Sequence, residues 1–241
     1  MTDPAIFALI VAAAMLTQSC IGFAGALVAV PLFALFLSPR EAIPSYSLVM
    51  LAVDVLLVIE THEHVDWRKV RTLLIGGIVG MPIGAYGLKH LPPAFVGVTI
   101  SIVTLAFAIL FLLKVTLPLR ENRATQIGVG VCSGVLGGCV SASGPPIVIY
   151  GLARNWQKNL FRSTLLAYFT CLATTGVLSY FLMGMITKQT LVTSAVGFVP
   201  ALAAAFVGLT LKNRLNESVF RSVVLVVILA TSLLGFVKYL F

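Results

Sequence analysis

The sequence predicts an all-α polytopic membrane protein made of two pseudo-symmetric, inverted repeats. Each repeat is an interrupted or re-entrant helical hairpin followed by three transmembrane helices. Three observations lead there. Of the 241 residues, 59% are hydrophobic and only 10% are charged, with a mean hydropathy of +1.07. A soluble domain carries about 25% charged residues, so this chain has too few to cover a surface in water. Apolar runs of about 20 residues, matching a bilayer core, recur along it. Finally, two of the apolar segments hold helix-breaking residues in their middles, at matching places in the two halves.

The first interrupted segment, 5–37, contains QSCIGFAG (18–25). It opens MTDPAIFALIVAAAML, with no basic residue before Arg40, so it is not expected to be a cleavable signal. Simpler spans follow at 42–60, 70–88 and 94–113. The second interrupted segment, 125–153, contains GVLGGCVSASGPPIVIYG (134–151), and spans at 160–183, 190–211 and 219–240 complete that half. In a helix interior Gly costs about 1 kcal/mol and Pro about 3 kcal/mol relative to Ala. A run with Gly134, Gly137, Gly138, Gly144, Pro145 and Pro146 is therefore expected to break. Half-helices at 5–18 and 27–37 would be roughly 16–21 Å long. They would reach the middle of a hydrocarbon core about 30 Å thick.

The segment SCIGFAGALVAVPLF (19–33) resembles GVLGGCVSASGPPIV (134–148), pairing Gly22 with Gly137 and Pro31 with Pro146. A polar stretch, KVTLPLRENRATQ (114–126), joins the halves. The expected organisation is one transmembrane domain over 1–241, with repeat 1 at 1–117 and repeat 2 at 122–241.

Loop charge separates two topologies. If all eight segments crossed, the 16 Lys and Arg residues would divide evenly and predict no orientation. If the interrupted segments are hairpins, one side holds Arg68, Lys69, Arg71, Lys114, Arg120, Arg123, Arg154, Lys158, Arg162, Lys212, Arg214 and Arg221. The other then keeps only Arg40, Lys89, Lys188 and Lys238. Basic loops accumulate on the cytoplasmic side, so the hairpin topology is expected, with both termini outside. The same rule accounts for the formal charge of +8 without nucleic acid as a partner.

Inverted repeats with paired interrupted helices are a recurring design of transporters, with the substrate near the midplane. Half-helix N-termini present free N–H groups and a positive dipole end, which suits an anion. In the second tip, Ser141 and Ser143 supply hydroxyls and Gly144 a tight turn. In the first, Gln18 and Ser19 are donors and Gly22 a hinge. Close packing of small residues is the competing reading of the glycines. Arg162, in NLFRSTLLAYFT, could neutralise an anion below a tip or snorkel to headgroups. By the repeat Arg162 lies opposite Ser45 in IPSYSLVM (43–50), where Tyr46 and Ser47 could supply neutral donors. Asp54 is the one carboxylate well inside a span and is the candidate for proton coupling. His62 and His64, with Glu60, Glu63 and Asp66, read as a solvated loop with no metal site, and the four cysteines as small apolar residues.

At these residues the chain resembles the TauE/SafE family of membrane permeases. Glycine-rich segments each lead to a proline, GFAGALVAVP (22–31) and GGCVSASGPP (137–146), and each is followed by three spans. Ala24, Cys139 and Val140 stand where the family often has glycine. The resemblance implies a secondary transporter that exports small sulfur-containing anions such as sulfite or organosulfonates. It would be an integral protein of a bacterial inner membrane, with no cofactor and no enzymatic activity. The expected substrate contacts are Gln18, Ser19, Gly22, Ser47, Ser141, Ser143, Gly144 and Arg162. Expected partners are the anion and membrane lipids, with a second copy of the chain as a further candidate. An anion channel of the same architecture is the alternative.

Overall fold

A computed structural model describes residues 3–113, 119–211 and 217–240. Within them lie ten α-helices: α1 (Pro4–Ile21), α2 (Gly25–Phe36), α3 (Pro39–Thr61), α4 (Trp67–His90), α5 (Pro93–Leu112), α6 (Arg123–Val140), α7 (Gly144–Ala153), α8 (Lys158–Leu182), α9 (Lys188–Leu211) and α10 (Glu217–Leu240). Both halves have the same order, a broken pair and then three long helices. Six helices among the described residues, α1, α3, α4, α5, α8 and α9, are long and apolar enough to cross a membrane. Large apolar side chains such as Ile78, Val79, Ile83, Phe181, Val199 and Phe206 point outward, as lipid contact requires. The linker residues 114–118 lie outside the described residues.

Both broken pairs reverse direction. Phe7 near the start of α1 stacks on Phe33 near the end of α2, with ring centroids 5.5 Å apart. In the other half, the Gln126 Nε2 amide near the start of α6 donates to the Tyr150 hydroxyl near the end of α7, at 3.1 Å. Deeper in, Ser133 Oγ donates to the Ser143 carbonyl at 2.6 Å.

The expected half-helices are only half correct. α2 and α7, with 12 and 10 residues, are ~18 and ~15 Å long. α1 and α6 have 18 residues each and are ~27 Å long. The glycines and serine in the tips are tolerated until a left-handed residue ends the helix, so the first arm is about two turns longer than the second.

The hairpins open toward opposite ends of the molecule. The mouth of α1 and α2 lies where Lys238 donates to the Ala34 and Leu35 carbonyls, at 3.2 and 2.8 Å. Arg40 at that end donates to the Leu88 and Leu91 carbonyls, and Lys89 to the Met183 carbonyl at 2.7 Å. Each cation thereby satisfies carbonyls at a helix C-terminus, which no backbone N–H can reach, and complements its negative dipole end. The mouth of α6 and α7 lies at the other end, where Arg154 pairs with Glu121 at 2.7 Å and Lys69 sits 5.9 Å from the Trp156 ring. The start of α1 and the end of α10 therefore share the cation-poor end. Lys114, Lys212 and Arg214 lie outside the described residues, as do the side chains of Lys158 and Arg221.

Helix packing exchanges between the halves: α4 lies against α6, and α9 against α1. Along the first seam Gly76, Gly80 and Gly84 face the backbone of Ile127, Val131 and Val135. A Cβ at any of the three would come within 2.0–2.3 Å of a carbonyl oxygen. Small residues allow this approach in lipid, where dispersion between close-packed helices has to replace the hydrophobic effect.

Candidate functional site

The two breaks meet in the interior. The Phe23 carbonyl oxygen lies 3.7 Å from where a Cβ would sit on Gly144. At the first break Gly22 has φ 96°, in the left-handed region, and its N–H donates to the Gln18 carbonyl at 2.6 Å. A side chain there would be strained and would meet Arg162 Cγ at 2.7 Å. At the second break the left-handed position is Ser141, φ 52°, a conformation that costs a non-glycine residue roughly 1–2 kcal/mol. The structure thus matches Gly22 with Ser141 and Gly25 with Gly144, one helical turn from the Gly22–Gly137 pairing suggested by the letters. Gly144 does not make the expected turn. It is the first residue of α7, and a methyl there would make ordinary contacts.

The expected site residues fall into two groups. Gln18, Ser19, Gly22, Asp54 and Arg162 gather at the first tip. Gln18 is buried and bridges two elements: its Oε1 accepts from the Gly25 N–H at 3.0 Å, and its Nε2 donates to Asp54 Oδ1 at 2.8 Å. The Gly25 N–H can only donate, so it fixes which way the amide points. Asp54 is fully buried, and its Oδ2 has no hydrogen-bond partner. Ser19 Oγ and Tyr46 OH are likewise buried and unpartnered. Leaving such a group unsatisfied costs about 1–3 kcal/mol, and such groups concentrate where function outweighs stability.

Arg162 comes from α8. One guanidinium nitrogen donates to the Ser19 carbonyl at 3.2 Å, and another lies 3.4 Å from Glu60 Oε2. It neither snorkels nor lies free below the tip. It caps the C-terminus of α1 and joins that end to α3. Glu60 stood in the sequence only as part of a charged loop, and no local pattern linked it to a residue 102 positions later.

Ser47, Ser141, Ser143 and Gly144 form the second group. Ser47 Oγ and Ser141 Oγ are 3.5 Å apart. Tyr180, which sequence reasoning missed, donates to the Gly138 carbonyl at 2.8 Å. Together with Met81 and Phe169 these serines bound a cavity of about 20 Å³, room for one water molecule and smaller than a sulfur oxyanion. Four positions at a helix start have N–H groups without intrahelical acceptors. In α7 they are Ser143, Gly144, Pro145 and Pro146, and the two prolines carry no N–H. The start of α7 therefore offers only two such N–H groups, those of Ser143 and Gly144, beside the serine hydroxyls.

His62 and His64 are exposed in a short 3₁₀ turn, and no cluster of metal-ligating side chains occurs among the described residues. All four cysteines are free.

Long apolar helices, outward-facing apolar side chains and two reversed, broken helices buried between them define a polytopic helical integral membrane protein. The sequence matches the family described as Sulfite exporter TauE/SafE over residues 6–234. The chain belongs to that family, a family of membrane transporters of the sulfur-anion exporter type. No curated protein and no solved structure matches it.

Proposed function

We propose that this chain is a secondary transporter that exports small sulfur-containing anions such as sulfite or organosulfonates across the inner membrane by alternating access. The observation that carries this reading is the meeting of two broken hairpins, opened to opposite ends, at a polar interior. Two such hairpins would serve as inverted repeats, and rocking one against the other would expose their junction to either side in turn. The arrangement described above, with room for one water between Ser47, Ser141 and Ser143, is the closed member of that cycle.

In this reading the second tip cradles the substrate. Ser141, Ser143 and Ser47 donate to its oxygens while the N-terminus of α7 supplies a positive field. The first tip locks the machine: Gln18 ties the start of α2 to Asp54, while Arg162 ties the end of α1 to Glu60. Asp54 carries the coupling proton. The cation-rich end faces the cytoplasm, which places both termini outside.

Thermal shift of the purified protein tests the substrate class, with sulfite, thiosulfate, sulfoacetate, taurine and matched carboxylates. A ligand at 100 Kd stabilises by about 2.7 kcal/mol. The reading requires a clear shift with at least one sulfur anion and none with carboxylates. Equal shifts with carboxylates would defeat it, and single-channel currents in planar bilayers would replace it with a channel.

A further inference from the structure

A cleft of about 590 Å³ opens at the cation-rich end, between the first turns of α4 and α6, at the opposite end of α6 from its tip at Ser141. On α4 its wall is Arg68, Arg71, Thr72 and Ile75, one helical stripe. Facing it on α6 are Arg123, Gln126 and Ile127. The two stripes share one gradient, with cations at the rim, a hydroxyl and an amide below, and isoleucines at the floor. Ile75 is 56% exposed and begins the lipid-facing row that continues through Ile78 and Val79.

Glu121 also lines the cleft and Asp66 lies beside it, but both acids are paired with other cations, Asp66 with Lys69 and Glu121 with Arg154. Among the described residues no ion pair engages Arg68, Arg71 or Arg123. Elsewhere the cations have structural work: Arg40, Lys89, Lys238 and Arg162 each bind helix-terminal carbonyls. Three unpaired arginines around one cleft, at the level where the membrane ends, are a distinct feature.

We propose that this cleft binds the headgroup of an anionic phospholipid. The arginines meet the phosphate, Thr72 and Gln126 lie at the depth of the glycerol and ester groups, and an acyl chain leaves over Ile75 onto the outer face of α4. A soluble anion would use the rim but gain nothing from the apolar floor, whereas a lipid matches the whole gradient. Basic pockets between transmembrane helices on the cytoplasmic side are suited to such headgroups. Because α4 and α6 belong to different halves, the bound lipid would clip the two halves together beside their glycine seam. The inference depends on the membrane fold alone and is independent of which anion is transported.

Native mass spectrometry of detergent-purified protein tests it, using phosphatidylglycerol, phosphatidylcholine with the same chains, and soluble glycerol 3-phosphate. Phosphatidylglycerol should be retained in preference to phosphatidylcholine, and glycerol 3-phosphate should not displace it. The triple variant R68Q/R71Q/R123Q should bind phosphatidylglycerol about a hundredfold more weakly, since each basic residue near an anionic surface contributes about a fivefold factor. If the triple variant does not fold, R123Q alone should show that fivefold loss. Equal retention of the two lipids, or undiminished binding by the variants, overturns the proposal. Displacement by glycerol 3-phosphate also overturns it and makes the cleft a soluble-anion site.

Discussion

Arg162 shows what folding adds to a side chain singled out in the sequence. Its position in α8 below a glycine-rich tip suggested a direct contact with substrate. Folding instead places the guanidinium between the Ser19 carbonyl and Glu60. Residues coupled in this way are non-additive. Arg162→Ala should lower the melting temperature, and adding Glu60→Gln should cost little more, as melting curves of the two single variants and the double variant would show. A substrate ligand would behave otherwise: Glu60→Gln alone would leave stability unchanged and raise anion affinity. Asp54 admits an equally sharp test. Asp54→Asn keeps an acceptor for Gln18 Nε2 but cannot carry a proton. In proteoliposomes it should exchange substrate while losing the stimulation that a pH gradient gives the wild type. Undiminished stimulation would remove Asp54 from coupling.

At the scale of single elements, one helix start and one seam can be tested. Asp66, in the loop before α4, accepts from the Arg68 and Lys69 N–H groups, each at 3.1 Å, and pairs with the Lys69 side chain. Partial burial pushes its carboxyl up, but the hydrogen bonds and charge of Lys69, with the Arg68 N–H, outweigh it and hold the group below the usual carboxylate range. A lowered folded-state value stabilises the protein above the unfolded value, about 3.9, and that contribution fades as pH falls through the folded value. Asp66→Ala should therefore cost about 1 kcal/mol near neutrality. The difference from wild type should shrink below about pH 4 in denaturation series.

On the seam, Gly80→Ala would put a Cβ 2.3 Å from the Val131 carbonyl oxygen, while a Cβ at Gly128 would meet nothing within 4 Å. Overpacking of this kind costs about 1–3 kcal/mol, and Gly→Ala at an open helical site stabilises by about 1 kcal/mol or less. Thermal melts should thus move in opposite directions for two similar glycines. Matching shifts would show that the seam is not packed as described.

For the molecule as a whole, the testable matter is orientation. The start of α1 and the end of α10 lie at the end with Arg40, Lys89 and Lys238, opposite the cleft of Arg68, Arg71 and Arg123. A phosphatase fused after α10 should be active, since it folds only outside the cytoplasm, and a fluorescent reporter fused there should stay dark. The reverse pattern would overturn the assignment of the cation-rich end to the cytoplasm.

Much of this protein was legible in its sequence because the bilayer imposes rules that composition obeys locally. Apolar length predicts spans, Gly and Pro predict breaks, and Lys and Arg mark the ends of the molecule, so the helix order followed from those signals. The tip residues could be named as well, since Ser141, Ser143 and Gln18 are rare polar groups in apolar runs. The positions where the helices stop were less legible. A left-handed serine ends α6 where a glycine was expected to turn, and α1 outruns its expected end, because backbone conformation at a tip depends on what packs around it. The partners were not legible at all. Gln18 meets Asp54, Arg162 meets Glu60, and Arg68 faces Arg123 only once α1, α3, α4, α6 and α8 are brought together, and no spacing along a chain encodes a contact that the fold creates.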